Sequence, residues 1–350
     1  MNIKPFEGLK VVELASVLAG PAVGMFFAEL GAEVIKVENP KTQGDITRQW
    51  KSYGEKPGDI SAYYTSVNWG KKVLFIDISA EKDREKLSEL LKTADILLIN
   101  LKAGDAEKYS IDYNSLVTRF PKLICGYISG YGENDPRPAF DLVMQAETGF
   151  MSMNGTAESG PLKMPVAIID LMAAHQLKEG LLTALYLREK TGKGNCVRVS
   201  LFDSAIASLA NQASNFLITG INPQRSGSLH PNIAPYGETF LCGDGNYIVL
   251  AIGTEKQFER FCIAIGRPEL INDPRFHTNQ ARIRHREALP ELLNPFFIKR
   301  PAAESYEILH QSEIPFAIIR SVEEALISPS AAHLILDGKT VKTAVFRLEH

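Results

Sequence analysis

Asp170 stands where an apolar run, Pro165 to Ile169, meets a stretch whose apolar residues recur at helical spacing: Leu171, Ala174, Leu177, Leu181, Ala184 and Leu185. An Asp at that place has two uses. Its carboxylate can cap the free N–H groups of the first helical turn. It can also act as a nucleophile, because an ordinary Asp, with a pKa of about 3.9, is ionised at neutral pH and needs no separate base. A helix start lowers that pKa further and keeps the side chain anionic. The two roles are compatible, and local sequence alone reads as the cap. His175 follows five residues later on a different helix face and reads as structural. His230 lies in an irregular stretch, Thr219 to Tyr236, rich in Gly, Pro, Asn and Ser. There it either fixes the loop by a hydrogen bond or meets a substrate. Cys125, Cys196, Cys242 and Cys262 form no CxxC pair, which speaks against a zinc site or a disulfide framework and for reduced thiols in the cytoplasm.

The elements that must position Asp170 follow from periodicity. Leu9 to Leu14, Ala32 to Val37, Lys72 to Ile78, Asp95 to Asn100 and Leu123 to Ser129 read as buried strands. Ala22 to Leu30 reads as a helix, and so does Ala80 to Thr93, where Leu87, Leu90 and Leu91 recur among charges. This alternation predicts βαβ units and a doubly wound parallel sheet. After the long helix, which Thr191-Gly192 ends, Asn195 to Leu201 predicts a strand and Phe202 to Leu217 a second helix. Beyond the irregular stretch, Glu238 to Leu241, the turn Asp244-Gly245-Asn246 and Tyr247 to Ile252 predict a hairpin, followed by a helix over Lys256 to Ile265. The basic stretch Arg282 to Arg286 reads as a solvated helix face. The domains expected are a large Rossmann-like one over 1–215, a linker over 216–235, a small α+β domain over 236–305 and a return to the large domain over 306–350.

Charge and hydropathy exclude several classes. Lys and Arg total 38 against 41 Asp and Glu, and the net charge of -3 gives no reason to expect nucleic acid or an acidic membrane as partner. The apolar stretch Ala15 to Ala28 is broken by Gly20, Pro21 and Gly24 and is shorter than the roughly 18 residues a membrane span needs. Met1 to Gly8 has no apolar core of the kind a signal peptide needs, so a cytoplasmic protein is expected. The turn after the first strand, Ser16 to Gly24, carries no GxGxxG, and the chain has no GxxxxGK[ST], GxSxG or HExxH.

A set of ordered fragments supplies what those motifs do not. Gly8 to Leu14, Ala19-Gly20-Pro21 and Leu30 to Glu38 come first, then Gly44-Asp45 with Arg48, Ala94-Asp95 with Asn100, and Gly130-Tyr131-Gly132. Thr191 to Gly194, Val199 to Ala205 and His230 to Tyr236 follow. Together they resemble the family III CoA-transferases, the group of formyl-CoA and carnitine CoA-transferases and α-methylacyl-CoA racemases.

The resemblance implies a Rossmann-like large domain, a smaller α+β domain and an interlocked homodimer. It implies transfer of CoA from an acyl-CoA thioester to a small carboxylic acid, with CoA a substrate and no cofactor or metal held permanently. Asp170 matches the family's nucleophile, which forms an acyl-aspartyl anhydride and then an aspartyl-CoA thioester. Backbone N–H groups of glycine-rich loops would meet the oxyanions, and the site must exclude water. By matching position, CoA would be held by Val17 and Leu18, by Ile76, Asp77, Ile78 and Ser79 beside the adenine, and by Asn100, Leu101 and Lys102 near the phosphates. Lys108 and Ser129, Gly130 and Tyr131 complete the set. Lys71, Lys72, Lys102 and Lys108 offer point charges for phosphate.

The chain departs from the family pattern in places. Leu18 replaces a glutamine, Asn39 and Ser129 replace basic residues, and Ile314 to Ile319 replaces an IPCGPV-like stretch. The sequence ends at His350, before an LGEHT-like segment, so a shorter return to the large domain is expected. Phe140 in Phe140-Asp141-Leu142 stands where a racemase would have its histidine. Phenylalanine cannot carry a proton, so transfer is expected over racemisation. A CoA-binding member without turnover is the other alternative.

Overall fold

The computed structural model describes residues 4–349; Met1 to Ile3, part of the opening read for a leader, and His350 lie outside the described residues. Two compact units share the chain. One takes 1–152, 162–221 and 332–350, the other 153–161 and 222–331.

The first unit is built on six parallel strands: β1 Lys10–Leu14, β2 Glu33–Glu38, β3 Lys72–Phe75, β4 Ile96–Ile99, β5 Ile124–Ser129 and β6 Cys196–Ser200. Their order is β3-β2-β1-β4-β5-β6, so the α/β, doubly wound reading holds. The apolar runs are continuous because both faces are covered. Val11, Val34, Ile96, Leu98 and Ile124 point to one face, against helices Ala19–Glu29 and Ile168–Thr191. Their neighbours Val12, Val37, Leu97, Ile99 and Cys125 point to the other, against Leu87 and Leu91 of helix Glu81–Leu91. The winding reverses between β1 and β4, which leaves a crevice at the carboxyl ends of those two strands.

Two local expectations are corrected. The second helix expected over Phe202 to Leu217 is split into Leu201–Ala207 and Asn211–Thr219 by Ala210, whose φ is +48°. Apolar spacing runs through the break without a sign of it. The strand expected to reach Ile78 ends at Phe75, and the chain turns there toward the next helix.

The second unit holds an antiparallel sheet of β7 Tyr236–Leu241, β8 Tyr247–Ala251 and β9 Phe316–Ile318. Phe240, Ile248, Leu250, Phe258, Phe261 and Phe297 form its core. The altered stretch 314–319 contains β9, so this sheet runs past residue 305. The stretch Arg282 to Arg286 is not a solvated face. Arg282 is fully buried and donates to the carbonyls of Ala234 (2.6 Å) and Phe276 (2.9 Å) and to Glu255 (2.6 Å). Arg286 donates to Glu238 (2.7 Å) and to the carbonyls of His230 (2.6 Å) and Ile233. His230 Nδ1 accepts the Asn232 N–H at 3.1 Å, the loop-fixing role. No helix among the described residues is long and apolar enough to cross a membrane.

Candidate active site

The loop that leaves β1 and the loop that leaves β4 face each other across the crevice. Together with the end of β5 they line a cleft of about 400 Å³ that also receives Asp170. Val17, Leu18, Asn100, Leu101, Lys102, Ser129 and Gly130 all lie on its wall. The remaining sequence candidates lie outside that lining. Asp77 is ion-paired to Lys41 at 2.7 Å and accepts the Ser79 hydroxyl at 2.6 Å, with Ile76 buried and Ile78 partly buried beside them. Lys108 is exposed, its ammonium 5.0 Å over the Tyr109 ring. Tyr131 is covered by the Arg137 guanidinium at 3.6 Å.

Asp170 is delivered by the 24-residue helix Ile168–Thr191, at its third position rather than at its cap. The capping is done from elsewhere in the chain. Asp141 Oδ1 accepts the Ile169 N–H at 2.7 Å, and Asp141 Oδ2 accepts from Gln145 at 2.6 Å. Gln145 Oε1 in turn accepts the Met164 N–H at 2.7 Å, so the segment before the helix is tied down. Asp170 itself is 6% exposed, and no hydrogen bond holds its side chain among the described residues.

That environment overturns the expectation of a permanently anionic carboxylate. Burial, and next the neighbouring charge of Asp141, push the Asp170 pKa up from 3.8 to about 7. The helix start does not compensate, because desolvation outweighs a dipole effect of about 1 kcal/mol. Tyr63 shares the environment: burial first, then the charges of Asp170 and Asp141, raise its hydroxyl to about 12. Trp50 packs edge-on against Tyr63 at 5.2 Å and reaches Phe140 at 6.5 Å, giving an aromatic wall. Nothing in the sequence singled out Trp50 or Tyr63. Arg137 and Arg198 also line the cleft unforeseen, paired with Asp135 (2.8 Å) and with Glu133.

The loop after β1 is tied at each residue. Asn100 Oδ1 accepts the Ser16 N–H (2.9 Å) and its Nδ2 donates to the Ser16 carbonyl (2.7 Å), which commits that side chain to the loop. Val17 has φ +72°, a left-handed backbone that a β-branched residue rarely adopts. Beneath the loop lies a buried set of two carboxylates and two ammoniums. Lys36 is 3.0 Å from Glu13 and 3.1 Å from Asp45, and Lys71 is 2.8 Å from Glu13. Gly24 lets the helix above pass, since a Cβ there would sit 1.8 Å from Glu13 Oε2. Lys71 is therefore not a charge for phosphate: burial first, and the adjoining Lys36, push it down to about 7 despite Glu13. Lys72 is exposed and pairs with Glu33 at 2.8 Å.

Comparison with known proteins adds to this geometry. Residues 6–338 match the family described as CoA-transferase family III. A succinate–glutarate CoA-transferase of Agrobacterium fabrum is 35% identical, covering 93% of this chain and 82% of that one. An acetyl-CoA:oxalate CoA-transferase of Acetobacter aceti is also 35% identical, over 94% and 84%. The crystal structure of a CAIB/BAIF family protein from Brucella suis, 36% identical, gives a TM-score of 0.85 over 99% of this chain and 93% of that one.

Proposed function

The chain belongs to CoA-transferase family III and is a transferase, and from that premise we propose that it moves CoA between an acyl-CoA thioester and a small carboxylic acid, through Asp170. The observation that carries the reading is a buried carboxylate without a hydrogen-bond partner in the crevice at the β1/β4 reversal. A carboxylate stripped of donors is a stronger nucleophile than one in water.

In the first step an Asp170 oxygen attacks the thioester carbonyl, the C–S bond breaks, and CoA leaves as thiolate with a mixed anhydride behind it. The thiolate then attacks the Asp170 carbonyl carbon, releasing the donor acid as carboxylate and leaving an aspartyl-CoA thioester. The acceptor carboxylate repeats both steps in reverse order, and Asp170 returns as carboxylate. No net proton is needed. Anhydrides hydrolyse, and the burial of Asp170, with Tyr63 near it, limits water there.

CoA would lie along Val17, Leu18, Asn100 to Lys102, Ser129 and Gly130, with Lys102, Arg137 and Arg198 meeting its phosphates. Arg198 is partly exposed; among the described residues its ion pair is with exposed Glu133 and its guanidinium lies 5.3 Å over the Tyr127 ring, so its loss should leave the fold intact. Arg198→Gln is expected to raise KM for the thioester about 10-fold with kcat unchanged, one charge-assisted hydrogen bond's worth. Steady-state kinetics check it.

The relatives' names make succinyl-CoA with glutarate and acetyl-CoA with oxalate the first pairs to test. Incubation with these thioesters, a hydroxylamine trap and peptide mass spectrometry should place the modification on Asp170. CoA binding without any label would instead indicate a binding protein, and α-hydrogen exchange without transfer a racemase. We read the molecule as a cytoplasmic homodimer, a reading supported by the exposed Leu217, Ile218 and Ile221 and by four free cysteines.

A further inference from the structure

The buried ion pair under the β1 loop has no part in the chemistry written above. We infer that Asp45, held by Lys36, is a positioning residue of the transfer site: it keeps the Ser16 to Leu18 loop in its left-handed turn, and so sets the cleft wall that Asp170 faces. The inference rests on the transferase reading for its kinetic consequence, but its structural part stands on the loop itself.

Four observations meet at Asp45. Its carboxylate accepts the Val17 N–H, at 3.2 Å to Oδ2 and 3.4 Å to Oδ1. It accepts the Thr47 N–H at 3.1 Å and the Thr47 hydroxyl at 2.8 Å. Lys36 Nζ stands 3.1 Å from Oδ2, and both side chains are 1% exposed. The same ammonium donates to the Ala15 carbonyl at 2.7 Å and to Glu13 at 3.0 Å. Lys36 thus grips one end of the loop directly and the other through Asp45. With Asn100 on Ser16 between them, the polar groups of three successive residues are fixed.

A purely structural role is the competing explanation. It fits the observations less well, for two reasons. A buried ion pair contributes little net stability and is often replaceable by apolar residues of the same volume. A non-glycine residue also stays at φ +72° only when its surroundings over-determine it, and here the surroundings that do so are Asp45 and its partners. The residue held in that conformation lines the cleft together with Leu18 and Asp170.

The test pairs Asp45→Asn with substitutions at Val17. An amide keeps the size of the carboxylate but must set its NH2 against either Lys36 or the Val17 N–H. The D45N variant is expected to lose about 30-fold in kcat with a small change in KM, the signature of a misplaced wall. Adding Val17→Gly should recover at least fivefold, roughly, because glycine adopts the left-handed turn unaided, while Val17→Ala should recover nothing. Because glycine also relieves the left-handed strain, stability is read separately by urea unfolding, and a recovery of stability without a recovery of kcat would overturn the inference. Hydrogen exchange on the peptide covering Ala15 to Ala22 reads the loop without reference to activity and should be faster in D45N. Unchanged exchange, kcat within twofold of the parent, or equal activity of the glycine and alanine double variants would overturn the inference. A parent protein inactive on every substrate pair would sink the transferase reading, and the exchange experiment would then decide the role of Asp45 by itself.

Discussion

Asp170→Asn is expected to lower CoA transfer about 10⁴-fold, with the affinity for CoA changed less than about threefold. The size of the first effect follows from covalent catalysis: an amide cannot form the anhydride, and Asp141, the carboxylate whose charge acts on Asp170, is not free to replace it. Asp141 is the nearest candidate, yet both its oxygens are engaged, by the Ile169 N–H and by Gln145. The small second effect follows because, among the described residues, the Asp170 side chain enters no hydrogen bond that the substitution could break. Single-turnover assays and calorimetry with CoA measure the two separately. Residual transfer above about 1% would sink the nucleophile assignment.

The second large effect is on pH, and it runs in opposite directions for stability and for activity. The folded-state pKa of Asp170 is about 7, whereas the ordinary value is 3.8. Between those two values the folded chain binds the proton that the unfolded chain has released. Stability contributed by this group is therefore fully present below about pH 4, falls as pH rises toward 7, and levels off above it. At about 1.4 kcal/mol per pKa unit the loss comes to about 4 kcal/mol at most. Urea unfolding of the parent and of Asp170→Asn at pH 5 and pH 8 should show the variant gaining on the parent by about 2 to 4 kcal/mol at the higher pH. A gap that stays constant with pH would contradict the assignment. Activity follows the ionised form, so kcat/KM should climb about tenfold per pH unit below 7 and flatten above it.

The architecture was legible because the strands are buried on both faces. Val11 and Val12, or Leu97 and Leu98, face opposite layers, yet both layers are apolar, and that leaves continuous runs in the sequence. What the sequence concealed depended on partners distant along the chain. Asp170 reads as a cap because the residue that caps the helix, Asp141, lies 28 positions before Ile169, whose N–H it accepts. Lys71 reads as a charge for phosphate and Arg282 as part of a solvated face because Glu13 and Glu255, which they meet, give no local sign of it. The family resemblance pointed to Val17, Leu18 and Asn100 to Lys102 on the cleft wall. It carried no information on Trp50, Tyr63, Arg137 or Arg198, whose part depends on how loops meet in space. Nor could a pattern of residue types report that burial raises the Asp170 pKa.

The Asp170 carboxylate, the proposed nucleophile, rides on a 24-residue helix packed against the sheet as far as Ala184, while the aromatic wall beside it comes from the Trp50, Tyr63 and Phe140 segments. On the proposed function, the bond-making atom and the rings beside it therefore sit on separate parts of the chain. On that reading, rings of the wall can be exchanged while the helix register, and with it the proposed nucleophile, stays put.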